Sequence, residues 1–222
     1  MATDGPAYLA TWLRRGGIAF DCFDTAAGQD FPERMGDWSA LAVLGGEMSV
    51  NDPLPSLRRA EALIREAMAS DRPVIGHCLG GQLMASALGG RVGASPRAEL
   101  GWHDIRVDDA PAAGEWFGDA LAPTVFQWHG EGFTLPEGAV RLATNDACPN
   151  QAFAIGPHLG MQFHVEVDAE KLAAWFGVST DPVAREVSQA LARDPARAAA
   201  LLSAQQRLAD RLYARWWSAA PR

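Results

Sequence analysis

The sequence has 222 residues, 48% of them hydrophobic and 21% charged, with a formal net charge of -8, values that suit one soluble globular domain. The acidic balance argues against nucleic acid or an anionic membrane as a main partner. No apolar run approaches the roughly 18 residues that a membrane span needs, and no basic, then apolar, leader pattern opens the chain. The three cysteines, Cys22, Cys78 and Cys148, are widely spaced and lack C-x-x-C spacing. A reducing, cytoplasmic setting therefore fits better than a disulfide framework or a structural zinc site.

Residues 7–15 read as a helix with Leu9, Trp12 and Leu13 on one face, stopped by Gly16-Gly17. Residues 18–23 alternate like a short strand, and a polar loop follows to Trp38. Residues 41–44 are an apolar run of the buried parallel-strand type, ending in Gly45-Gly46. Residues 57–69 form a helix pattern with Leu57, Ala60, Leu63, Ile64 and Ala67 inward, and Val74-Ile75 is the next buried strand. Short strand candidates follow at 89–93, 103–107, 124–128, 140–143, 151–155 and 159–163, separated by Gly, Pro, Asn and Asp turns. Residues 171–176 read as a helix, and 182–217 as two alanine-rich helices split near Asp194-Pro195. Strand alternating with helix at this spacing predicts an α/β domain with a mainly parallel sheet. The expected organisation is a single domain over 1–222, with 169–222 a C-terminal helical extension.

Open α/β domains normally begin with a buried strand, whereas this chain begins Met1-Ala2-Thr3-Asp4-Gly5-Pro6 and goes straight to a helix. The first strand is therefore expected to be missing, or to lie upstream of the chain as written.

The chemistry concentrates in two places. In Gly76-His77-Cys78-Leu79-Gly80-Gly81-Gln82 a cysteine stands between glycines where a strand gives way to a helix pattern. That is the arrangement of a nucleophile at the tip of a strand-to-helix turn. A helix N-terminus favours thiolate over thiol. The second place is Phe163-His164-Val165-Glu166. Two residues apart on a strand end, His164 and Glu166 point to one side, so His164 can serve as base and Glu166 can orient it. The backbone N–H of Leu79 and that of Gly46 are the candidate oxyanion donors. Strand ends of a parallel sheet emerge on one edge, so these parts can meet.

The pattern G-x-C-x-G-x-Q, a later H-x-E and an upstream Gly-Gly loop resembles the class I (triad) glutamine amidotransferases, especially stand-alone proteins similar to the glutaminase domain of GMP synthase. The resemblance covers roughly residues 4–170. It implies a flavodoxin-like open sheet with helices on both faces, and a catalytic Cys78, His164 and Glu166 with Gly46 and Leu79 as oxyanion hole. It further implies that Gln82 helps hold the donor and that His129, in a Trp-His segment, lines the pocket. No cofactor and no metal are implied.

The leading expectation is hydrolysis of the glutamine side-chain amide through a γ-glutamyl thioester on Cys78, with ammonia passed to a separate acceptor or synthetase subunit. A γ-glutamyl peptidase would use the same thioester with another γ-glutamyl compound. A third reading, a non-catalytic stress or regulatory protein of the cysteine-elbow type, is disfavoured by the intact His164 and Glu166. Cys22 and Cys148 read as ordinary small apolar residues, His77 as a packing residue, and His103 and His158 as surface residues near turns.

Overall fold

The computed structural model describes residues 5–221. A sheet of six strands among the described residues is ordered β1 (Leu41–Val43), β2 (Val74–His77), β8 (His158–Met161), β7 (Ala152–Ile155), β6 (Val140–Thr144), β4 (Arg106–Val107). β1, β2 and β8 pair in parallel, whereas β7 lies antiparallel to both β8 and β6, and β4 antiparallel to β6. β1, β2, β8 and β6 thus run one way, and β7 and β4 the other. A separate antiparallel ribbon joins β3 (Val92–Asp104) to β5 (Thr124–Phe133).

Helices cover both faces, as the α/β reading requires. Alternation along the strands divides the core: Val74 and Phe153 point to one face, Ile75, Ala152 and Ala154 to the other. The first face receives α2 (Pro55–Ala69) and α3 (Leu79–Ala87); the second receives α1 (Ala7–Arg15), α4 (Pro111–Phe117) and α7 (Pro195–Ser218). α2 buries the expected Leu57, Ala60, Leu63, Ile64 and Ala67. α5 (Ala169–Val178), α6 (Pro182–Arg193) and α7 each start at an aspartate whose side chain accepts a backbone N–H: Asp168, Asp181 and Asp194. Such caps satisfy donors that have no partner inside the helix. Prolines at 182 and 195 then suit the first helical turn. Among the described residues no helix is long and apolar enough to cross a membrane.

Three expectations are corrected. Residues 18–23 form no strand: none of them joins a ladder, and Ile18 and Phe20 serve instead as apolar plugs against the core. β1, an edge strand, is only partly buried. The last strand stops at Met161, so His164 and Glu166 lie in a turn beyond it rather than on its end. The short helix α4 has no counterpart in the sequence reading, because seven residues interrupted by Gly114 give too little periodicity. The missing first strand is a question about residues 1–4, outside the described residues.

Candidate active site

Three chain segments leave the same edge of the parallel strands. After β1 come Leu44, Gly45 and Gly46; after β2 comes Cys78; after β8 come Gln162 to Glu166. The turn at Cys78 is possible only with glycine around it. A Cβ on Gly76 would lie 2.6 Å from the Gly80 backbone, one on Gly80 2.0 Å from the Val43 carbonyl oxygen, and one on Gly81 2.3 Å from that of Met161. Strands and helix therefore cross backbone to backbone, closer than any side chain allows. Cys78 itself has φ 50° and ψ -111° and forms the N-cap of α3. Its thiol is directed away from the sheet at a point where the first α3 N–H groups have no helical partner.

His164 and Glu166 are joined by a 2.7 Å hydrogen bond, Nδ1 donating to Oε1. Both are almost wholly buried. Burial alone would lower the His164 pKa, but the charges of Glu166 and Cys78, with hydrogen bonds to both, outweigh it and raise it to about 10. Burial likewise works to raise Glu166, and there the charges of His164 and Lys171, with the hydrogen bond from His164, prevail and hold the carboxyl well below the ordinary range. The turn is tied down from outside, since Tyr8 N–H donates to the Glu166 carbonyl at 2.9 Å. The Gly-Gly loop abuts the same cluster. A Cβ on Gly45 would lie 2.8 Å from His164 Cε1, and one on Gly46 3.0 Å from Leu79 Cδ2.

Cys78, Gly46, Gln82, His129 and His164 all line one cavity of about 690 Å³. Its far wall comes from β3 and β5 (Glu99, Leu100, Trp128 to Glu131) and from the end of α5 and the link to α6 (Trp175, Val178, Asp181). Glu47, Glu99, Glu131 and Asp181 make the lining acidic, and it contains no lysine or arginine. Gln82 Nε2 donates to the Glu131 carbonyl at 3.1 Å and to Gln162 Oε1 at 3.2 Å, while Gln162 Nε2 lies 3.6 Å from Cys78 Sγ. His129 is held by the Glu131 carbonyl at 3.0 Å and Glu99 Oε2 at 3.2 Å. Burial works to raise the Glu99 carboxyl, but hydrogen bonds from His129 and Asn145 outweigh it and keep it below its ordinary value. Leu79 packs its side chain into the core, where it abuts Gly46, and is not itself part of the cavity lining.

Of the other histidines, His103 is partly exposed, as expected, with its ring 3.1 Å from the Leu100 carbonyl. His77 is fully buried, paired with the Tyr213 hydroxyl at 3.2 Å, and burial pulls its pKa down to about 4. His158 is not the surface residue expected of it: it is buried, and Nδ1 accepts the Val74 N–H at 3.1 Å. Cys22 is exposed and Cys148 buried. The sequence reading missed Gln162, Glu99, Trp175 and Lys171. Gln162 precedes the H-x-E motif by one residue and was the most accessible to inference. Nothing in the sequence announces that Glu99, on the ribbon, meets His129.

The family model for glutamine amidotransferase class-I matches residues 22–174. The chain is 33% identical over 174 residues to the glutamine amidotransferase-like protein YfeJ of Salmonella typhimurium, covering 74% of this chain and 71% of that one. It is 35% identical over 140 residues to the glutamine-hydrolyzing GMP synthase of Marinomonas sp., where the match takes in 59% of this chain but 26% of the synthase. A crystal structure of a glutamine amido transferase from Methylobacillus flagellatus superposes with a TM-score of 0.88 at 34% identity, over 100% of this chain and 93% of that one.

Proposed function

The chain belongs to the class I glutamine amidotransferase family, and from that premise we propose that it hydrolyses the side-chain amide of glutamine through a γ-glutamyl thioester on Cys78. The observation that carries this reading is the meeting, at one cavity, of a cysteine at a helix N-terminus with a histidine hydrogen-bonded at 2.7 Å to a buried carboxylate.

The chemistry runs in two halves. In the first, the Cys78 thiolate attacks the amide carbon, and the developing oxyanion is met by the N–H groups of Gly46 and Leu79. His164, charged in the resting ion pair, gives its proton to the departing nitrogen, so ammonia leaves and the thioester remains. In the second, neutral His164 takes a proton from water, which cleaves the thioester to glutamate and restores the ion pair. Glu166 holds the imidazole in the tautomer that leaves Nε2 free for this exchange. Gln82 and His129 are assigned to the walls that hold the amino-acid end of the donor.

On the likeness to the GMP synthase, of which this chain spans about a quarter, the ammonia goes to a separate acceptor or synthetase subunit. A γ-glutamyl peptide or conjugate is the second candidate donor, because a cavity of about 690 Å³ has the volume of sites that take ligands larger than one amino acid.

Ammonia release from glutamine by the isolated protein, with Cys78→Ala alongside, is the deciding experiment. Release by the native protein alone is the expected result. Release that persists in Cys78→Ala would overturn the nucleophile assignment. Silence from both, with amine release from a γ-glutamyl peptide, would put the second donor class first.

A further inference from the structure

The carboxylate of Glu166 has a second ionic partner for which the chemistry above has no use. Lys171 Nζ lies 3.5 Å from Glu166 Oε1, the same oxygen that accepts the His164 hydrogen bond. Its other neighbours are the Gly5 carbonyl oxygen at 2.8 Å and the face of Trp175, 4.7 Å from the ring centroid. Trp175 meets His164 at 5.1 Å in an edge-on packing, so ammonium, indole and imidazole surround one carboxylate. Only 4% of the Lys171 side chain is exposed.

The hydrogen bond to Gly5 and the packing over Trp175 favour a lysine here, but its place in the helix and its burial both oppose the charge. Residue 171 sits in the first turn of α5, where the positive end of the helix opposes a cation. Burial of the charge adds a desolvation cost. The reaction, however, creates a need for it. At rest His164 is held protonated, and Glu166 has both His164 and Lys171 as cations. Thioester formation converts Sγ to neutral acyl sulfur and sends the His164 proton out on the amine. The imidazole is then neutral, and without Lys171 the Glu166 carboxylate would be an uncompensated buried charge.

We propose that Lys171 is a positioning residue that acts through Glu166, a buried counter-ion that keeps the carboxylate ionised and hydrogen-bonded to neutral His164 in the acyl-enzyme. The proposal rests on the thioester reading above. The other titratable groups facing Glu166 are His164 of the reacting pair, and His77 and Tyr213 beneath the turn. Burial keeps His77 and the Tyr213 hydroxyl neutral. Among these groups Lys171 is the cation that survives the loss of the His164 proton. Being outside the cavity lining, it has no contact with the donor to explain its presence.

The test compares Lys171→Met and Lys171→Arg with the native enzyme, using glutamine as donor across pH. Lys171→Met should lower kcat about tenfold or more at neutral pH and move the acidic limb of the kcat profile upward by about one pH unit, because an unsupported Glu166 holds the proton on His164. KM should change less than about twofold, and Lys171→Arg should restore most of the rate. A loss confined to KM, or an acidic limb that does not move, would overturn the proposal. A second measurement needs neither turnover nor a variant. In native protein with Cys78 capped by iodoacetamide, nitrogen NMR should find the His164 ring neutral at pH 7. A doubly protonated ring there would overturn the counter-ion role whatever the donor. A neutral ring together with no turnover of glutamine would count against the donor assigned above and leave Lys171 supported.

Discussion

The two sides of the cavity are held together differently. Around Cys78 it is backbone against backbone, with a Cβ on Gly80 brought within 2.0 Å of the Val43 carbonyl oxygen. Across from it, side chain meets side chain: Trp128 of β5 stacks on Phe176 of α5 at 5.7 Å and stands perpendicular to Trp175 at 5.7 Å. A backbone crossing admits one residue type at each position and one spacing between them. A wall of rings admits many sequences, because large apolar groups can repack at similar volume. The chemical side is therefore rigid in sequence, and the donor-facing side is free to vary.

The sharpest way to break this contrast is on the rigid side. Gly80→Ala sets a methyl against the Val43 backbone, which has no side chain to move aside, and should cost about 5 kcal/mol or more. Soluble expression and the urea midpoint would register it, and a variant with native stability would show that the crossing can open.

The next effect comes from beneath the turn. His77 has its pKa lowered to about 4 in the fold, below the ordinary 6.5 of an unfolded histidine. Between those values the unfolded chain binds the extra proton, so stability falls as pH falls through that window. A shift of this size corresponds to about 3 kcal/mol. His158, also lowered by burial, adds in the same direction. His164, raised to about 10, contributes its slope above the window, where stability falls as pH rises. Unfolding free energies from pH 6.5 to 4.5 should show the decline, and His77→Leu should flatten it. An equal slope in the variant would mean that His77 is not the group responsible.

The smallest effect belongs to the variable side. Glu131 lines the cavity, and its carboxylate takes a hydrogen bond from Ser49 Oγ at 3.2 Å. Glu131→Gln should change the unfolding free energy by no more than the range of surface changes, about 0.5 kcal/mol. It should alter KM by no more than about tenfold, equivalent to about 1.4 kcal/mol, with kcat nearly intact. A collapse of kcat would move Glu131 from the wall into the chemistry.

This division also explains what could be read from the sequence. Gly76, Gly80 and Gly81 flag the turn because their spacing is imposed by the crossing, and Cys78 and the H-x-E motif follow from it. The α2 stripe was legible for the same kind of reason, since a helix repeats its inward face. Residues 18–23 alternate as a strand does, yet alternation supplies no ladder partner, and they run as irregular chain. Glu99 against His129, Tyr213 against His77 and Lys171 against Glu166 were invisible for a further reason. Each pairing depends on how the ribbon, α7 and α5 dock, which no local pattern encodes. The His164–Glu166 pair was foreseen, but the geometry behind it was not: a turn after Met161, rather than strand alternation, brings the two side chains together.

The backbone at Cys78 has a consequence beyond catalysis. With φ at 50° and ψ at -111°, a residue with a Cβ is held in a region that costs on the order of 1–3 kcal/mol. Glycine would occupy the same position without that cost, and the proposed reaction would be lost. Selection for a working thiol and selection for a robust fold thus pull residue 78 in opposite directions.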